Sequence, residues 1–192
     1  MGNGMVDKQR IQEMATSAVG DVAGALVEIG CYEGRATAML CEVGRRLGRT
    51  VHAIDSFRGM AEPGPKDGTN YPRGKFDVGG KQGFIDLMGA RGFNLGLDYN
   101  VHEGYVPEVL KQPMLRDLQV AFAYADLDHY EPTLAALDWL WEHMDKGGII
   151  LCDDYDGPDG SEVLAAAAIR DWLPKHRPAW AMLSNDQAVI YR

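Results

Sequence analysis

Five short apolar runs, each closing on a turn or an acidic residue, are separated by stretches with helical spacing, and this alternation leaves the chain little choice of architecture. The runs are 25–30, 51–55, 101–103, 120–126 and 149–153. Between and before them, apolar residues recur at helical intervals over 6–19 (Ile11, Met14, Ala15), 36–47, 84–90 and 133–144 (Leu134, Leu137, Leu140, Trp141), the last closed by Gly147-Gly148. Strands this continuously apolar are buried on both faces, so they predict a parallel sheet with helices on either side. Such sheets bind ligands beyond the carboxyl ends of their strands. At the C-terminus, 180–183 and 188–191 are separated only by Ser184-Asn185-Asp186-Gln187. That gap is too short for a helical crossover and predicts an antiparallel hairpin.

At 192 residues the chain is expected to form one domain, 1–192, with an N-terminal helix inside 1–24. Nineteen Lys and Arg against twenty-eight Asp and Glu give a net charge of -9, which repels phosphate backbones and anionic lipid, so neither nucleic acid nor a membrane is expected as partner. No run reaches the ~20 apolar residues of a membrane span, and the N-terminus lacks the apolar stretch of a signal peptide. Cys31, Cys41 and Cys152 are odd in number and in no metal-ligand spacing. They read as small buried hydrophobes of a reducing, cytoplasmic compartment.

One long irregular region, 56–83, carries Pro63, Pro65, Pro72, several glycines, Lys66, Arg73 and Lys75. It is expected to be a lid with few buried apolar anchors.

Chemistry gathers at the strand ends. In Glu28-Ile29-Gly30-Cys31-Tyr32-Glu33-Gly34, two glycines at i and i+4 allow a sharp turn from strand to helix and a close ligand approach. The reductase pattern G-x-G-x-x-G is absent, and Glu33 at the helix start suits a cationic or zwitterionic ligand better than a pyrophosphate. Asp55, ending the second strand, is placed to accept both hydroxyls of a ribose. Asp126 and Asp128 end the fourth strand, and Asp153 and Asp154 the fifth. Carboxylates converging there repel unless a cation sits between them, and an all-oxygen set favours Mg²⁺, Mn²⁺ or Ca²⁺. The plainer reading, helix capping, holds best for Asp128 and Asp156, ahead of helices expected from Glu131 and Asp159.

The combination of 27–34, Asp55-Ser56-Phe57-Arg58-Gly59-Met60, Glu103-Gly104-Tyr105-Val106-Pro107, Asp126-Leu127-Asp128-His129-Tyr130-Glu131-Pro132-Thr133 and Asp153-Asp154-Tyr155 resembles the class I S-adenosylmethionine-dependent O-methyltransferases of the macrocin O-methyltransferase type. The resemblance runs from about residue 25 to the end. It implies a Rossmann-like, seven-stranded α/β sheet with only the last strand antiparallel, and magnesium-assisted methylation of a sugar hydroxyl on a small natural product or glycan. It further implies that Glu28, Gly30, Tyr32, Glu33, Gly34 and Thr37 shape the methionine pocket, that Asp55 and Ser56 take the ribose, and that Gly104 and Tyr105 border the adenine. Asp126, Asp153 and Asp154 would hold the metal, with Asp126 also facing the cofactor. His129 stands where related catechol-type enzymes carry a lysine base, so it and Asp126 are the catalytic candidates. The expected partner is a small hydroxyl acceptor, and a homo-oligomer stays open. Three rivals remain: a nicotinamide reductase, a metal-dependent oxygenase resembling the cephalosporin hydroxylases, and a non-catalytic S-adenosylmethionine-binding module.

Overall fold

The computed structural model describes residues 6–153, 155, 164–183 and 186–192. In chain order the elements are α1 (Val6–Asp21), β1 (Ala25–Ile29), α2 (Arg35–Leu47), β2 (Val51–Asp55), α3 (Gly80–Ala90), β3 (Tyr99–Glu103), β4 (Val120–Ala125), α4 (Tyr130–His143), β5 (Met144–Cys152), α5 (Leu164–His176), β6 (Ala179–Met182) and β7 (Ala188–Tyr191). The strands form one sheet in the order β3-β2-β1-β4-β5-β7-β6. β1 to β5 pair in parallel, and β7 runs antiparallel to both β5 and β6, so the reversed strand is the last one, as the resemblance implies.

Alternation along the strands sorts side chains into two layers. Leu26, Val51, Ala53 and Phe122 meet Ile11 and Ala15 of α1 and Leu40 and Val43 of α2. Val27, Ile29, Ile54 and Ile150 meet Leu137 and Leu140 of α4 and Ile169 and Trp172 of α5. Each of these large side chains removed from water contributes about 1.5–3 kcal/mol. In α2 the buried stripe of Thr37, Leu40, Cys41, Val43 and Gly44 explains the helix, and Arg45 and Arg46 favour its negative C-terminal end.

Strand order reverses between β1 and β4, since the chain leaves β1 outward to β2 and β3 and then returns to the other side. Register fixes what meets there. Ile29 pairs with both Ile54 and Ala125, and Ala125 with Cys152, so Gly30, Asp55, Asp126 and Asp153 emerge side by side at one edge.

Several boundaries differ from the sequence reading. α3 begins at Gly80, which shortens the irregular region to 56–79. α4 starts at Tyr130 and stops at His143, because the chain enters β5 directly at Met144. Val120 pairs with Met144 and Phe122 with Ile149, and Gly147-Gly148 lies inside this bulge instead of stopping a helix. Asp154, Asp156 and the helix start expected at Asp159 lie outside the described residues, as do Ser184 and Asn185 of the hairpin loop. Among the described residues no helix is long and apolar enough to cross a membrane. All three cysteines are buried and free, and burial raises each thiol, Cys41 and Cys152 to about 12, so they behave as the small hydrophobes expected.

On the α4/α5 side of β2 and β3, His52 Nδ1 lies 2.9 Å from His102 Nε2 in stacked rings. One nitrogen donates to the other, which requires an unprotonated acceptor. Burial, then the His102 ring, pushes His52 down from 6.5 to about 4, and burial lowers His102 as well. An unfolded chain therefore takes up these protons first, so the pair's contribution is complete above about pH 6.5 and is lost as pH falls toward 4. The unfolding free energy of wild type minus that of His52→Gln should shrink by about 2 kcal/mol across that window. Parallel urea-denaturation curves at pH 4.5 and 7 would refute the pairing.

Candidate functional site

A cavity of about 340 Å³ opens at the strand-order switch, where α/β sheets bind ligands. Its floor is Gly30, Tyr32, Ile54, Asp55 and Ser56 from the ends of β1 and β2, with Gly104, Tyr105 and Val106 after β3. Its far wall is Asp126, Leu127, Asp128, His129 and Pro132 after β4, with Asp153 after β5. Gly59, Met60, Ala61, Tyr71 and Phe76 of the 56–79 segment form its roof.

Asp55 organises the floor. Its Oδ2 accepts the backbone N–H of Cys31 at 2.6 Å and of Tyr32 at 3.2 Å, and its Oδ1 accepts that of Phe57 at 2.7 Å. One carboxylate thus ties the turn after β1 to the turn after β2, and it still faces the cavity. Backbone strain collects around it: Tyr32, Phe57, Phe76 and Asp128 hold φ of 44°, 56°, 70° and 58°. Each costs on the order of 1 kcal/mol, and three of them, Tyr32, Phe76 and Asp128, line the cavity, which marks a site that the surrounding packing must enforce.

Glu28 and Thr37 sit behind the floor and do not line the cavity. Both are buried, and the Thr37 hydroxyl hydrogen-bonds the Glu28 carboxyl. Burial raises Glu28 to about 8, with Asp55 adding to the rise, so this carboxyl stays mostly protonated at neutral pH. The stability that it contributes falls as pH rises from about 4.5 to 8, opposite in sense to the histidine pair. Gly34 caps α2 and backs onto Met88 and Phe84 of α3. Glu33 pairs with Arg35 at 3.1 Å on the surface.

At the acidic wall, Asp126 and Asp153 share the edge of the cavity. Both carboxylates raise the Tyr124 hydroxyl, after burial itself, and Gln187 Nε2 donates to Asp153 Oδ1 at 2.8 Å. Two of the three expected metal donors are therefore brought together, and the third, Asp154, lies outside the described residues. Among the described residues no three His, Cys, Asp or Glu side chains form a metal set.

His129 is buried against the roof. Its Nε2 lies 3.0 Å from the Tyr71 carbonyl, which makes Nε2–H the donor, and its Nδ1 is 3.8 Å from Asp67 Oδ2. The roof also differs from an unanchored lid. Phe57 is fully buried against Phe84, Met60 and Lys75 pair through the backbone, and Asp67 is held at α4. Sequence reading missed Met60, Tyr71, Phe76, Pro132 and above all Asp67. Tyr71 and Phe76, two of the three aromatic residues in this glycine-rich loop, were the available signal.

A methyltransferase-domain family matches the chain over residues 27–155. No curated protein matches it. Among solved structures, the O-methyltransferase NovP is similar at 22% identity and a TM-score of 0.82, covering 98% of this chain and 80% of that one. CalS11, a calicheamicin methyltransferase, is similar at 23% identity and a TM-score of 0.81, covering 97% and 79%. The O-methyltransferase from Bacillus cereus in complex with SAH gives 14% identity and a TM-score of 0.63, covering 99% and 82%. These likenesses extend to the whole fold described above.

Proposed function

The chain belongs to the methyltransferase-domain family, and from that premise we propose that it is an S-adenosylmethionine-dependent O-methyltransferase acting on a sugar hydroxyl of a small glycosylated molecule. The observation that carries this reading is the joining of Gly30, Asp55, Gly104 and Asp126 into one roofed cavity at the switch point. The glycine turn admits the methionine end, Asp55 and Ser56 receive the ribose hydroxyls, and Gly104 and Tyr105 border the adenine. Glu28, Thr37 and Gly34 act from behind, by fixing the floor, and Glu33 is paired with Arg35 on the surface. Support for the cofactor and for the sugar acceptor comes from relatives of this fold, one solved with SAH bound and one described as TDP-rhamnose 3'-O-methyltransferase.

In the reaction the acceptor oxygen attacks the sulfonium methyl in line, a C–O bond forms as the C–S bond breaks, and SAH leaves as a neutral thioether. The roof excludes water and holds the hydroxyl against the methyl group. Asp126 lines the cavity and takes the hydroxyl proton, while His129, whose Nε2–H is donated to the Tyr71 carbonyl, holds the roof against this wall. Asp126 and Asp153, with Asp154, would hold Mg²⁺, Mn²⁺ or Ca²⁺, and a cation there would lower the pKa of a bound hydroxyl.

Calorimetry with SAH, with and without magnesium, tests both parts. SAH should bind in either case, and magnesium should raise the melting temperature by offsetting carboxylate repulsion. Asp153→Asn should weaken magnesium binding about tenfold and slow transfer in step while sparing SAH affinity. If chelator-treated protein melts at the same temperature and transfers at full rate, the metal has no part. If SAH does not bind, the transferase reading fails.

A further inference from the structure

Helix α4 begins at the wall of the cavity without a cap of its own. His129 occupies the N-cap position in extended backbone and makes no side-chain cap hydrogen bond. The N–H of Tyr130, the first helical residue, is satisfied from elsewhere: Asp67 Oδ1, 63 residues away in the roof, accepts it at 2.8 Å. Asp67 Oδ2 accepts the Gly64 N–H at 2.8 Å and faces the His129 ring. The Asp67 side chain is only 3% exposed.

The neighbours of Asp67 grip the same helix. Lys66 Nζ lies 3.7 Å over the Tyr130 ring and 3.6 Å from Asp171 of α5, and the Tyr130 hydroxyl donates to Asp171 at 2.7 Å. At its other end the roof is a narrow ribbon, closed by the Arg58–Asp77 bridge and by the Met60 N–H to Lys75 carbonyl bond at 2.8 Å. The roof is thus hinged beside β2 and fastened at its tip to α4, with the cavity between.

We propose that Asp67 is a positioning residue of the methyl-transfer site: its carboxylate caps α4 from across the cavity and so holds the 56–79 segment closed over the bound cofactor. The physical reason is that a buried carboxylate has two tolerable states, fully bonded or hydrated. Partial withdrawal of the tip would break the Asp67–Tyr130 bond, leaving the buried carboxylate one partner short and the Tyr130 N–H with none, while the Gly64 N–H moves with the loop. The latch therefore tends to open all at once. Its negative charge sits at the positive end of the α4 dipole, which favours the closed state further. Closing also fixes Asp126 to His129, the corner that joins β4 to α4, because Tyr130 is held from the front while Asp126 N–H is held by Ile29 of β1 at 2.9 Å. The inference rests on the transferase reading for its purpose and on the geometry alone for its existence.

Hydrogen exchange on the full-length protein tests it without any ligand. In Asp67→Ala, the amides of 60–71 and of Tyr130 should exchange about tenfold faster or more, while those of β1 and β4 keep their protection. Asp67→Asn keeps one acceptor oxygen for Tyr130 but turns an N–H₂ toward Gly64. It should fall between wild type and alanine and serves in its place if alanine does not fold. With SAH as probe, the dissociation rate should rise in the same order, also by about tenfold for alanine. Unchanged exchange over 60–71 in both variants overturns the latch. Faster exchange with an unchanged SAH dissociation rate overturns its positioning role. Failure of the wild-type chain to bind SAH would strike the transferase reading instead, and the exchange result would still decide the latch.

Discussion

Gly30→Ala should abolish SAH binding and lower the unfolding free energy by about 4 kcal/mol or more. Gly30 holds φ at +88°, and a Cβ there would stand 1.7 Å from the Asp126 carbonyl oxygen and 2.7 Å from its carbon. Those are backbone atoms and cannot swing aside as a side chain would. The Gly30 N–H is bonded to Ile54 at 3.0 Å, and the Asp126 N–H to Ile29 at 2.9 Å, so any relief must break the cross-links among β1, β2 and β4 that set the cavity floor. Gly48→Ala is the matched control. Its φ is +66° with nothing near the added carbon, so it should cost only the roughly 1 kcal/mol of left-handed strain and leave binding alone. Urea unfolding and SAH calorimetry on the two variants separate close approach from strain. Wild-type affinity in Gly30→Ala would show that the β1 turn can move away from β4.

Asp55→Ala is expected to weaken SAH binding about a hundredfold, near 3 kcal/mol, and to destabilise the protein by about 2 kcal/mol. A carboxylate that only met the ribose would affect binding and leave the fold untouched. In this structure Asp55 also accepts three backbone N–H groups, of Cys31, Tyr32 and Phe57. Their loss leaves the buried Cys31 N–H without its partner, so both quantities should change. Asp55→Asn retains one acceptor oxygen and presents N–H₂ to the other donors, so about half of each effect is expected. An unchanged dissociation constant would remove Asp55 from the site, and a changed constant with unchanged stability would mean that the turn is held by other contacts.

The order of strands and helices, the terminal antiparallel hairpin and the acidic residues at the strand tips were all legible in the sequence. The reason is that each is written in local terms: a period of two or 3.6, a glycine pair four residues apart, a gap too short for a crossover. The strand-tip residues fall at one edge of the sheet because parallel register brings Gly30, Asp55, Asp126 and Asp153 together.

Tertiary structure alone decided what each of those residues is bonded to. Glu28 shares a motif with Gly30, yet packing turns it behind the floor as a buried pair with Thr37 of α2. Asp55 could be foreseen as a hydrogen-bond acceptor, and only the meeting of two turns made it the tie between them. His129 stands in the segment that suggested a base, and a carbonyl 58 residues away engages its Nε2. The roof is the plainest case: a stretch rich in proline and glycine has no period to read. Its anchor is one aspartate meeting a helix start 63 residues downstream. Local propensity fixes which backbone shapes are cheap, while the partner of a buried charge is settled only when distant segments pack and water is removed from between them.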